Sequence, residues 1–90
     1  MPRKIPIISL EDFEAKAKKP LMFKTLVTNI AEGIKENLQS VNVAEIKNHD
    51  IIINVSRSEW EGGLNKALEF YIEREEYEEC SKIKRLINKL

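Results

Sequence analysis

VNVAEIKNHDIIINV, residues 41–55, is the segment in which the spacing of apolar residues is typical of β-strands. Its first six residues have a period of two, and its last five residues are mostly β-branched. Such residues are enriched in strands, while Asn48 and Asp50 between the two runs tolerate the backbone of a tight turn. The segment therefore predicts a two-stranded antiparallel hairpin.

The register of this hairpin stays open on sequence alone. One alignment pairs Ile46 with Ile51, and a shift of one residue places Val43 opposite Val55. Each alignment buries a plausible apolar face, because successive side chains of a strand point to opposite faces of the sheet.

Helices are predicted on the N-terminal side of the hairpin. Residues 21–38 repeat apolar side chains at spacings of three and four, which indicates an amphipathic helix. Pro20 suits its first turn, where an amide has no partner within the helix. Ser9 and Asp12 resemble a capping box and predict a short helix from Leu10 to about Lys18.

Two more amphipathic helices are predicted after the hairpin. The pair Gly62-Gly63 leaves the start of the first one open, because each glycine disfavours a helix by about 1 kcal/mol. It begins either at Glu59, behind a capping box that Ser58 opens, or after the glycines. It ends near Glu73, and the last helix runs from about Glu76 to Leu90.

These elements predict a small α+β protein with the order α-α-β-β-α-α. Ninety residues have room for one hydrophobic core, so residues 1–90 are expected to form a single domain, with residues 1–8 as an extended arm that contains two prolines. The predicted core residues come from every element after the first helix. They are Phe23, Leu26, Val27, Ile30, Ile34, Leu38, Val43, Ile51, Ile53, Val55, Leu68, Tyr71, Tyr77, Cys80, Ile83 and Ile87.

The C-terminal third carries a recognisable pattern. An aromatic-acidic pair, Tyr77-Glu78, is followed by two small residues, Cys80-Ser81, and then by the spaced aliphatics Ile83, Ile87 and Leu90. With this pattern, residues 64–90 resemble the UVR motif, a helical hairpin of bacterial excision nuclease subunits and of some protease-regulating adaptors.

The resemblance implies an element that docks on other proteins and often associates with a similar hairpin. The family usually has Arg-Asp after the first aliphatic residue, whereas this chain has Lys84-Arg85, so the pairing surface of the family is in doubt here. More loosely, the whole chain is similar to short uncharacterised proteins encoded by tailed bacteriophages.

Composition argues against several classes of protein. Fifteen basic and fifteen acidic residues cancel, so no global positive field favours nucleic acid or membranes. Cys80 and His49 are the only cysteine and histidine, and neither a catalytic triad nor a phosphate-binding loop is found. We therefore expect no enzyme, no metal and no cofactor.

The same composition favours a cytoplasmic protein. The N-terminus lacks the apolar region of a signal peptide, and no segment approaches the ~20 apolar residues of a transmembrane helix. A single cysteine suits a reducing compartment.

The predicted function is that of a non-catalytic adaptor or regulator that binds another protein, encoded by a phage and directed at a host or phage protein. The predicted partner-binding residues are Trp60, Phe70, Lys84, Arg85 and Ile52. Trp60 has two interpretations, a core residue, which is favoured, or a surface anchor. A two-stranded sheet also leaves both of its edges open, which predicts a homodimer or strand addition to a partner.

The alternative function is a nucleic-acid-associated factor that uses basic residues at both ends of the chain. Lys82, Lys84, Arg85 and Lys89 make the last helix basic toward its end. The candidate phosphate-binding residues of the N-terminal quarter are Arg3, Lys4, Lys16, Lys18 and Lys19.

Overall fold

A three-stranded sheet with helices packed on one face is the architecture seen in the computed structural model, which describes residues 5–9, 11 and 19–90. The elements in chain order are β1 (Ile7–Ile8), α1 (Lys19–Lys35), β2 (Ser40–Ile46), β3 (Ile51–Ser56), α2 (Arg57–Glu73) and α3 (Tyr77–Asn88). The predicted α+β class is confirmed. Within the described residues the order is β-α-β-β-α-α, whereas the helix predicted from Leu10 to Lys18 lies outside them apart from Glu11.

The prediction of a two-stranded sheet is wrong, because β1 pairs in parallel with β2 and makes the sheet mixed. Pro6 and Ile8 accept hydrogen bonds from the amides of Glu45 and Lys47, at 2.9 and 2.6 Å. Ile8 is buried beside Ile46, so the predicted arm contributes both backbone pairing and apolar burial.

The register of the β2–β3 hairpin combines two alignments. Near the turn Ile46 lies opposite Ile51, as the first alternative predicted, but Val55 pairs with Val41 rather than with Val43. The register shifts at a β-bulge at Val43. A bulge places two residues opposite one, and here it lets the sequence neighbours Val43 and Ala44 both be buried on the helix-covered face.

Trp60 lies at the centre of the main core and is fully buried. Its indole Nε1 donates a hydrogen bond to the carbonyl of Val55 at 2.9 Å, and the Arg57 guanidinium lies 5.0 Å from the ring centroid. Gly33 on α1 faces the same ring. The favoured core interpretation of Trp60 is confirmed, and its selection as a partner-binding residue is wrong.

Most of the predicted core residues are buried or pack against the core, but Ile51 and Tyr77 are exposed. Ile51 lies at the turn end of the edge strand β3, and Tyr77 begins α3 at the interhelical turn. Each residue lies at the end of its strand or helix. The apolar pattern of the sequence still includes it, but the neighbouring element does not extend far enough to cover its side chain. The prediction also omitted buried residues, namely Ile8, Val41, Ala44, Ile46, Leu64, Ala67 and Leu86.

Helix boundaries differ from prediction where backbone geometry overrides composition. The predicted end of α1 at Leu38 is wrong, because Asn37 adopts a left-handed conformation (φ 57°) and the Leu38 amide bonds back to Gly33 at 2.8 Å. For the next helix, the predicted start after the glycines is wrong, and α2 starts before them, within two residues of the predicted Glu59. It begins at Arg57 after the N-cap Ser56, continues through both glycines and shows no side-chain capping bond.

Candidate interaction surface

The outer edge of β3 is the first candidate surface, because β2 occupies only one side of this strand. The amide of Glu45 bonds to β1, so its backbone groups face away from β3. In an antiparallel ladder, the residue opposite such a position also turns its backbone groups outward. Ile52 lies opposite Glu45, and its N–H and C=O therefore point to the free edge.

This edge lacks the features that usually prevent strand pairing. The sequence of β3, IIINVS, contains no proline, lysine or other charged residue, and the bulge lies in β2. Natural edge strands commonly carry such features, because unpaired backbone groups recruit other strands. Among the described residues, no strand lies beyond β3.

The face of the sheet that faces away from the described helices adds apolar surface beside this edge. Ile7, Glu45 and Ile52 lie in one row across the three strands, and the two isoleucines are 65% and 50% exposed. Further from the turn the same face is polar, where the Asn54 side-chain amide donates to the Asn42 side-chain oxygen at 2.9 Å. The exposed apolar surface is thus concentrated at the turn end of the sheet.

The helices α2 and α3 form the second candidate surface. A turn at residues 74–76 joins them, and Glu75 takes a left-handed conformation there (φ 59°), so the chain folds back instead of continuing as one rod. Cys80 and Ile83 are buried in the main core, as the predicted hairpin requires. Tyr77 is 63% exposed and does not take part.

The remaining predicted partner-binding residues differ in their exposure to solvent. Ile52 on β3 and Lys84 and Arg85 on α3 are exposed. Phe70 is half-buried, with its ring centroid 4.8 Å from that of Phe23 on α1, and the Arg74 guanidinium lies over it at 5.3 Å. Phe70 therefore has a packing role between α1 and α2 that the sequence pattern did not reveal.

The basic residues of the nucleic-acid alternative are described only in part. Lys19 is exposed at the start of α1, whereas Arg3, Lys4, Lys16 and Lys18 lie outside the described residues. Lys82, Lys84, Arg85 and Lys89 are exposed.

The described residues offer few groups for chemistry. His49 is exposed in the hairpin turn and Cys80 is a buried free thiol. In the part of the chain that the structure describes, no cluster of three or more metal-ligating side chains is found, and no helix has the length and apolarity needed to cross a bilayer.

Comparison with known proteins returned no matching family model, no similar curated protein and no similar solved structure. The likeness to the UVR motif and to phage proteins stays a prediction.

The sequence predicts open sheet edges and an exposed Ile52, but it does not show that the open edge belongs to β3. Three consecutive isoleucines at 51–53 necessarily present a side chain to each face of a strand, and this pointed to an exposed isoleucine. The pairing of β1 with the other edge of β2 could not be foreseen, because two residues after a proline give no periodic pattern.

Proposed function

We propose that this protein is a non-catalytic interaction module that binds by strand pairing at the outer edge of β3, and that its first partner is a second copy of itself. The observation that carries the proposal is the outward-facing backbone of Ile52 on an uncharged edge strand. Strand addition to an open edge provides main-chain hydrogen bonds without any catalytic group.

Self-pairing fits the pattern of β3. In an antiparallel pair of identical strands centred on Ile53, Ile52 of one copy lies opposite Asn54 of the other, and both have outward-facing backbone groups. Such a pair exchanges two backbone hydrogen bonds, and two-fold symmetry repeats it on the other side of the centre. Ile53 and Val55 pack only partly against the core, and dimerisation would bury more of their side chains.

The helical hairpin supports the same class of function. Its inner residues Cys80 and Ile83 pack inward, while Lys84 and Arg85 remain accessible for a partner beyond the dimer. Because these two residues replace the Arg-Asp of the UVR pattern with two cations, an adaptor built on this hairpin would favour an acidic partner surface.

Sedimentation velocity over a range of micromolar concentrations tests the proposal. The wild-type protein should sediment as a dimer, and Ile52→Lys should sediment as a monomer, because the lysines of the two copies lie diagonally across the two-fold axis, within reach of each other, and repel. Ile72→Lys is the matched control, since Ile72 is 47% exposed on α2 and away from the edge. It should remain dimeric.

A second variant addresses the backbone directly. Ile52→Pro removes an outward amide while leaving the bonds between β2 and β3 in place, and proline is tolerated at such positions of edge strands. It should also be monomeric. A wild-type protein that remains a monomer at every concentration would rule out self-pairing.

A further inference from the structure

A cleft between α1 and the helical hairpin lies apart from the sheet. It has a volume of about 260 Å³, and those of its lining residues that the structure describes belong to α1, α2, α3 or the turn between α2 and α3. Val27 and Tyr71 are buried at its base, and charged side chains surround its mouth. Binding at this cleft is therefore independent of strand pairing at β3.

Tyr71 supplies a polar group at the base of the cleft. The residue is only 6% exposed, and within residues 5–9, 11 and 19–90 its hydroxyl has no hydrogen-bond partner. No fully enclosed polar side-chain atom among the described residues lacks a partner. The phenol oxygen is therefore accessible to solvent, and Tyr71 lines the cleft.

The protonation state of this phenol makes it a hydrogen-bond donor. Burial raises the pKa of Tyr71, the carboxylates of Glu79 and Glu76 raise it further, and Arg74 opposes them. At neutral pH the hydroxyl keeps its proton and can donate it to an oxygen of a ligand.

The charged side chains described at the mouth are three cations, Lys24, Arg74 and Lys82, and two carboxylates, Glu76 and Glu79. Glu76 accepts a hydrogen bond from Arg74 Nε at 2.7 Å, and Glu79 lies 3.9 Å from Lys82 Nζ. Each carboxylate thus has a cation beside it. Lys24 on α1 has no ion-pair partner among the described residues, and Arg74 retains its two terminal amino groups.

We propose that this cleft binds a carboxylate on a short apolar stem, held by the Tyr71 hydroxyl and the Lys24 ammonium with the stem against Val27. Charge-assisted hydrogen bonds of this kind are stronger than neutral ones, and among the described lining residues three cations and two carboxylates leave a net charge of one positive unit for the ligand. A free carboxylic acid and a glutamate side chain of a bound peptide share this chemistry.

Two small probes that differ in one functional group test the site. N-acetyl-glutamate α-amide carries only a side-chain carboxylate, and N-acetyl-glutamine α-amide is its neutral isostere. In two-dimensional amide NMR at low salt, the glutamate probe should shift the amides of Lys24, Thr28 and Tyr71 in a saturable manner. The glutamine probe should bind about tenfold more weakly.

Variants then assign the contacts. Tyr71→Phe removes only the hydroxyl and Lys24→Gln removes only the charge, so each should weaken binding of the glutamate probe about tenfold. Lys66→Gln is the matched control, because Lys66 is exposed on α2 and does not line the cleft. It should bind as the wild type does.

Each outcome decides for or against the site. A peptide with a central glutamate that binds more tightly than the free probe identifies a protein partner as the source of the carboxylate, and equal affinities identify a small molecule. Equal binding of the glutamate and glutamine probes, or binding unaffected by both Tyr71→Phe and Lys24→Gln, would overturn the proposal. Loss of dimerisation in Ile52→Lys would leave the result unchanged.

Discussion

Gly33 and Gly62 show at the residue scale how the same amino acid can have opposite roles. A Cβ atom added at Gly33 would lie 2.7 Å from Trp60 Cη2 and 2.9 Å from Val41 Cγ1, both closer than real contacts allow. The same atom at Gly62 would have no neighbour within 4 Å. Gly33 therefore allows α1 to approach the buried indole, whereas Gly62 has no packing role.

These environments predict opposite effects of the same substitution. Gly33→Ala should lower the free energy of unfolding by about 1–3 kcal/mol, because the rigid, buried Trp60 must shift. Gly62→Ala should raise it by about 0.5–1 kcal/mol, since glycine weakens a helix without compensation there. Urea unfolding followed by Trp60 fluorescence measures both. Equal effects of the two variants would contradict the proposed close packing of Gly33.

Tyr71 predicts a dependence of stability on alkaline pH. Its pKa in the folded state lies above the usual value of 10.0, chiefly through burial and then through Glu79 and Glu76. The contribution of Tyr71 to the free energy of unfolding is therefore fully present below pH 10, and it is lost as the pH rises through the raised pKa of the folded state. Arg74 opposes the shift, and Lys24 lines the same cleft.

The comparison with Tyr71→Phe isolates this effect from other groups that titrate at high pH. The difference in unfolding free energy between the wild type and Tyr71→Phe should be constant from pH 7 to 9. Above pH 10 the wild type should lose stability relative to the variant. Urea unfolding at a series of pH values measures it. A difference that stays constant to pH 11 would contradict a perturbed phenol.

At the scale of elements, Asn29 connects α1 to the bulge of β2. Its side-chain amide donates a hydrogen bond of 2.6 Å to the carbonyl of Asn42, where the register shifts, and Asn29 is the buried polar residue of the described core. Asn29→Ala should cost about 1–3 kcal/mol of unfolding free energy, because it empties a buried position and removes the donor of a partly buried hydrogen bond to the Asn42 carbonyl.

Asn54→Ala is the matched control for this prediction. Asn54 also donates a hydrogen bond from its side-chain amide, to the side chain of Asn42, but on the exposed face of the sheet. Its loss should cost no more than about 0.5 kcal/mol, because water replaces the bond. Chemical unfolding of both variants checks the order, and an equal cost would show that the bulge does not depend on Asn29.

Local periodicity predicted the long helices and the hairpin but could not predict how elements meet. The spacing of residues 21–38 and the β-branched run at 51–55 were sufficient to assign α1 and β3. The bulge at Val43 has no recognisable sequence pattern. Its position depends on which face of the sheet the helices cover, and this is a property of the tertiary structure. For the same reason the glycines at 62–63 suggested a break, although packing of Leu64 and Trp60 on either side keeps α2 continuous.

The candidate surfaces were predictable to different extents. The composition of β3 pointed to an exposed isoleucine, and Ile52 is exposed. The cleft was not predictable, since Lys24, Tyr71 and Lys82 come from three separate helices and share no sequence motif. Tyr71 had been assigned to the core by its helical spacing, which correctly describes its ring but says nothing of its hydroxyl.

At the scale of the whole molecule, the described residues form two hydrophobic clusters of unequal size. The larger one joins all three helices to β2, and the smaller one consists of Ile8, Ala44 and Ile46, with Met22 and Ile53 beside it. Among the described residues, the two-residue strand β1 contributes one buried side chain to this second cluster, that of Ile8. Free energies of local opening vary within one protein, and segments with few buried contacts open first. The unit formed by β1 and the turn end of β2 should therefore open without unfolding the larger cluster.

Native-state hydrogen exchange tests this hierarchy. The amides of Glu45 and Lys47, which bond to β1, report opening of the small unit, and the amide of Leu64 reports the main core. Ile8→Ala should cost at least about 2 kcal/mol, which corresponds to about 30-fold faster exchange at Glu45 and Lys47. Exchange at Leu64 should rise by no more than this factor, because unfolding of the main core also opens the small unit. The hierarchy is seen in the wild type, where Leu64 should exchange much more slowly than Glu45 and Lys47. Ile7→Ala, at an exposed position of the same strand, is the control and should leave all three rates near those of the wild type. If Glu45, Lys47 and Leu64 exchanged with the same opening free energy in the wild type, the two clusters would form one cooperative unit and β1 would be an integral part of the main core.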